Sequence, residues 1–126
     1  MATAITPEKI TSVDPRTPIR YVAILTGAAA IDHTVSPQDD FRIVKVELHL
    51  NAAPTTSQSF VVKLDAGDGL TYDAVQLSED LTVGSVTDLV STPEKDNVFE
   101  ADDVIAITWT NTDLKTYGLR LIYELV

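Results

Sequence analysis

Apolar and polar residues alternate with a period of two along much of this chain, the pattern expected of strands with one dry face and one wet face. It is cleanest over residues 41–50, where the alternation sets Val44, Val46, Leu48 and Leu50 toward a core and Lys45, Glu47 and His49 toward water. Residues 59–64 place Phe60, Val62 and Leu64 on a core side. Residues 71–78 read as a further strand with Val75 and Leu77 inward. A short strand follows at residues 88–90, ended by Pro93, and another short strand or edge at residues 98–100. The last stretch, residues 104–126, reads as a β-hairpin. Ile105, Ile107 and Trp109 share one face of its first arm, and Leu119, Leu121, Tyr123 and Leu125 share one face of its second. Asn111, Thr112, Asp113, Lys115 and Gly118 supply the turn chemistry between them.

Residues 19–25 depart from this pattern. They are rich in β-branched and aromatic side chains and predict a strand ended by Gly27, but both faces are apolar: Tyr21, Ala23 and Leu25 on one, Val22 and Ile24 on the other. Such a strand is either covered on both sides within its domain or meets a second subunit with its outer face. Residues 28–33 suit a helical turn too short to be stable alone. Residues 1–17 carry Pro7 and Pro15 and no apolar period, so they predict an extended N-terminal arm without a core of its own. The arm is either a frayed terminus or a segment that orders against a neighbouring copy, with Ile5, Ile10 and Val13 to bury there. Residues 18–126 then form a single domain. Roughly seven or eight strands at turn-punctuated spacing, with no long helix, predict an all-β antiparallel β-sandwich or a barrel.

Composition narrows the function classes. With 126 residues and 44% hydrophobic content the chain has the size and apolar share of one folded domain. Nine Lys and Arg against 19 Asp and Glu give a net charge of -10, so its field repels nucleic acid and anionic membranes as partners. The chain has no Cys, which excludes a disulfide framework and a thiol nucleophile. No stretch approaches the roughly 18 apolar residues of a membrane helix, and the first residues lack the basic and apolar blocks of a secretory signal. These features predict a product made in the cytosol, unless an assembly carries it elsewhere.

Candidate chemistry is sparse. His33 falls in a loop and His49 on the polar face of a strand, neither at a recognised spacing from a nucleophile, and each reads as a solvated side chain. Asp65, Asp68 and Asp73 flank one turn, but their intervals do not fit a calcium loop and read as Asx-type turn chemistry. No metal or other cofactor is expected. A carbohydrate-binding or receptor-binding module would use exposed aromatics, for which Tyr72 and Tyr117 near turns, with Asp65 and Asp68, are the available set.

Residues 61–126 carry a further pattern: the turn Asp65-Ala-Gly-Asp-Gly69 with Tyr72-Asp73, then Thr87-Asp-Leu-Val90 with Pro93, Glu100-Ala-Asp-Asp-Val104, Thr108-Trp-Thr-Asn-Thr-Asp113 and Thr116-Tyr-Gly-Leu119. In these the chain resembles the small head proteins that decorate or cement the capsids of tailed bacteriophages. Where the resemblance calls for a glycine before Asp103, this chain has Asp102. The resemblance implies a jelly-roll sandwich on the outer capsid surface of the virion, assembled as a homo-oligomer, commonly a trimer, and bridging neighbouring major capsid protein subunits without enzymatic activity. The residues suited to such contacts, with itself or with the capsid, are Ile5, Ile10 and Val13 in the arm and Val22 and Ile24 on the first strand. The alternative is a sugar-binding or receptor-binding module of a tail fibre or baseplate, using Tyr72, Tyr117 and the loop acids.

Overall fold

A computed structural model describes residues 3–10, 18–65, 74–93 and 98–126. The described residues form ten strands and no helix: β1 (Thr3–Ala4), β2 (Glu8–Ile10), β3 (Arg20–Gly27), β4 (Ile31–Val35), β5 (Phe41–Leu50), β6 (Ser59–Asp65), β7 (Ala74–Asp80), β8 (Asp88–Ser91), β9 (Val104–Trp109) and β10 (Tyr117–Leu125). They make a β-sandwich of two five-stranded sheets, in the orders β1-β4-β9-β6-β7 and β2-β3-β10-β5-β8. Among the described residues every strand pairing is antiparallel except that of β1 with β4.

The two arms of the predicted closing hairpin do not pair with each other. β9 pairs with β4 and β6, whereas β10 pairs with β3 and β5 in the other sheet. The faces are those the alternation predicts, since Ile105, Ile107 and Trp109 are buried, as are Leu119, Leu121 and Tyr123. These two rows belong to opposite layers of the core instead of lying side by side. Both strands are central in their sheets, so each gains two backbone partners where a terminal hairpin has a free edge.

Among the described residues two bulges break the simple alternation. Between β10 and β5 the register passes from Ile122↔Lys45 to Tyr123↔Ile43, so Val44 is the extra residue. Ile43 and Phe41 are therefore buried, and Val44, predicted inward, is only half-buried. Between β6 and β7 the register skips Gln76, which places Val75 outside at 60% exposure while Leu77 packs against the core. A run of period two predicts faces only until a residue is inserted, and the insertion leaves no mark in composition.

The helical turn expected over residues 28–33 is not formed. Its second half belongs to the strand β4, with Ile31 and Val35 in the core, so His33 lies in a strand and not in a loop. The segment before residue 11 supplies two edge strands. β1 extends the first sheet, with the Ile5 amide donating to the Thr34 carbonyl at 2.8 Å, and β2 extends the second. Ile5 packs against the core from this position.

The chain crosses between β9 and β10 over Asn111, a buried residue at φ 49°. Its side-chain amide donates to the carbonyls of Ala28, Ala29 and Lys115, and its side-chain oxygen accepts from the Lys115 amide at 2.9 Å. Asn tolerates the left-handed conformation and satisfies freed backbone groups at once. Two residues on, Asp113 accepts from the Thr56 amide (2.8 Å) and hydroxyl (2.7 Å) and from the Thr55 amide (2.7 Å), which ties the residue 51–58 loop to the crossing.

Candidate functional site

The outward side of the β3-β10-β5-β8 sheet is where exposed apolar residues and strand cations come together. Its register arranges the outward side chains in cross-strand rows. Thr26, Gly118, His49 and Asp88 form the first row, and Ile24, Arg120, Glu47 and Val90 the second. Val22, Ile122 and Lys45 form the third, and Arg20, Glu124 and Arg42 the fourth. Ile24 is 51% and Val90 60% exposed, although both stand on strands whose opposite faces pack on the core. Glu8 on β2 stands beside Val22 at the rim.

Gly118 was expected in a turn, but it lies within β10 and opens a hollow in this face. A Cβ built there meets nothing within 4 Å. The hollow has a volume of about 320 Å³ and is walled by Ile24, Thr26, His49, Val90 and Arg120. A glycine inside a strand weakens it, and this one leaves open space above the strand where a side chain would stand.

Charges on the face are arranged by the same register. Glu47 accepts from Lys45 at 2.8 Å and lies 3.8 Å from Arg120. The hydrogen bond from Lys45 is the main cause holding its carboxyl below the ordinary range, against a smaller opposing effect of burial, with the charges of Lys45 and Arg120 adding to the lowering. His49 Nδ1 and Asp88 Oδ1 are 2.5 Å apart, both mostly exposed. At the far end Glu124 is 2% exposed and is held between Arg20 and Arg42, the Arg20 contact being 3.0 Å. Both guanidinium groups reach water, so the buried carboxylate is compensated without burying its partners.

Of the predicted contact residues, Val22 and Ile24 stand on this face, Val22 half-buried beside β2. Ile5 is set against the core and Ile10 opposes Arg20 at the sheet edge. Beneath the arm, Tyr21 and Tyr123 stack at 5.4 Å and 11° in a cleft of about 490 Å³ that Ile5 and Pro7 help to line. Burial, assisted by Tyr21 and Asp39, pushes the Tyr123 hydroxyl up to about 12. Val13 lies outside the described residues.

The alternative ligand set is not assembled among the described residues. Tyr117, expected near a turn and open, is only 5% exposed, with its ring edge-on to Trp109 at 6.4 Å, and presents no free face on which a sugar could stack. Asp65 is half-buried at the end of β6, opposite Val104. Asp68 and Tyr72 lie outside the described residues. Among the described residues no group of three His, Asp or Glu side chains is placed to hold a metal ion.

Gly118, Arg120, Glu47 and Val90 were missed as members of one surface. Their strands are far apart in sequence, and only the pairing of β5 with β10 and β8 brings them together. The sequence matches no protein-family model, and no curated protein aligns with it significantly.

Proposed function

We propose that this protein is a virion structural protein that decorates or cements the capsid of a tailed bacteriophage, bridging neighbouring major capsid protein subunits on the outer surface of the shell. It acts as a self-associated sandwich with an arm, and the reading calls for no reactive group. The observation that carries it is the outward face around Ile24, Gly118 and Val90, which leaves apolar surface and a hollow open on a body whose core is already closed. The strand order supports reading the sandwich as a jelly roll. β3 pairs with β10, β4 with β9, β5 with β8 and β6 with β7, as when one long antiparallel ribbon is folded over into two sheets. The arm adds short edge strands to both sheets, whose outer edges are suited to receive a strand from a capsid subunit.

Binding to the assembled shell and not to its loosened form stabilises the shell by mass action. The test is cosedimentation of the purified chain with capsid shells of the phage that carries it, with and without residues 1–17. The full chain pellets with shells and raises their melting temperature, and the truncated chain, which loses the edge strands β1 and β2 but still unfolds in one cooperative thermal transition, stays in the supernatant. Equal binding by the truncated chain removes the arm from the mechanism, and no binding by the full chain overturns the reading.

A further inference from the structure

We propose that the outward face of the β3-β10-β5-β8 sheet is a self-complementary docking surface for a second copy of this chain, joined face to face about a twofold axis running along the strands between β10 and β5. Such an axis exchanges β10 with β5 and β3 with β8 while keeping each row opposite its own counterpart. In the second row, Arg120 then faces Glu47 of the other copy, and Ile24 faces its Val90. In the first row, His49 of the other copy stands over the hollow at Gly118, and Asp88 stands over Thr26. The third row sets Ile122 against the aliphatic stem of Lys45. In the fourth row Glu124 is buried between Arg20 and Arg42 of its own copy, so that row adds no charge pair across the axis. One operation thus matches charge to charge, aliphatic to aliphatic and ring to hollow.

Charge distribution favours this occupant. Arg20, Arg42, Lys45 and Arg120 on the face and its rim are four of the nine Lys and Arg of the chain, while Glu8, Glu47, Asp88 and Glu124 are four of its 19 acids. Elsewhere acids dominate, so two copies repel one another on most approaches and are balanced on this one. An isologous contact of this kind closes at two copies. Four positions meet in each of the first two rows and two in each of the others, a footprint of roughly 400 Å² per copy, below the usual size of specific interfaces, so the dimer is weak and dissociates on dilution. The resemblance alone implies a threefold assembly; the register of this face suits a twofold. The inference rests on the self-association in the proposed function, but its test uses no shell, so its failure leaves capsid binding to be judged separately.

The experiment is sedimentation equilibrium of the full chain at low salt over a wide concentration range. The wild type approaches twice the 13.7 kDa chain mass at high concentration. Arg120→Glu alone and Glu47→Arg alone each remain monomeric, because like charges then face one another twice per dimer. Mixed in equal amounts they recover the dimer, since each altered residue meets its opposite charge. Gly118→Val, which fills open space in a strand, keeps or raises the melting temperature and loses the dimer. A wild type that stays monomeric at every concentration, forms a trimer, or associates unaffected by the charge variants overturns the proposal, as does a mixture that fails to recover the dimer while both variants remain folded.

Discussion

Trp109, the last residue of β9, and Tyr117, the first of β10, meet edge to face at 6.4 Å and 73°, although their strands belong to opposite sheets. The contact closes one end of the core beside the Asn111 crossing. Both rings point inward from their strands, and the crossing is what brings them together.

Asn111 is expected to be the most sensitive polar position of that crossing. Asn111→Gly relieves the positive φ but strips the donor from three carbonyls, costing about 1–3 kcal/mol of unfolding free energy. Asn111→Asp keeps the shape and points a carboxylate at the same oxygens, so at neutral pH it loses more than the glycine variant and recovers as acid protonates it. Urea titrations of the three proteins at two pH values check this. An Asp variant as stable as wild type at neutral pH would mean that the amide donors are not holding the crossing.

Asp113 predicts an acid limb. Hydrogen bonds, led by the Thr56 hydroxyl and followed by the Thr56 and Thr55 amides, lower its pKa from 3.8 to about 2. A carboxylate depressed on folding contributes stability that is full above its unfolded value and is lost as pH falls through the folded one. Wild type therefore loses this contribution between about pH 4 and 2. Asp113→Asn lacks it throughout, so thermal melts of the two proteins converge over that window. A constant gap between the melting curves down to pH 2 would contradict the assignment.

The bulge in β5 is tested by two neighbours. Alternation puts Val44 inside, whereas the register puts Ile43 there. Ile43→Ala is expected to cost about 2–5 kcal/mol as a buried truncation, and Val44→Ala about 1 kcal/mol or less. Chemical denaturation of both variants decides the matter, and the reverse order would remove the bulge.

Much of the fold was legible in the order of residues because the pleat of a strand is local. Phe60, Val62, Leu64, Ile105, Ile107, Leu119 and Leu121 are buried where period two places them. The same logic failed at Val44 and Val75, where a single inserted residue reverses the faces. It also missed β4, whose Ile31 and Val35 are separated by Asp32, His33 and Thr34, too short a run for alternation to speak.

What the amino-acid order determined by itself is which side chains are dry: an all-β body, its apolar faces, and the surplus of apolar residues on the strand at residues 20–27 that two faces of one sheet must share. Only the tertiary structure decided which strands are neighbours. Pairing joins residues such as Glu47, Arg120 and Ile24 across long separations, and nothing in a local period encodes that choice. The candidate face therefore came into view with the register of β10 between β3 and β5, because a surface assembled from distant strands exists only once backbone hydrogen bonds have set them side by side.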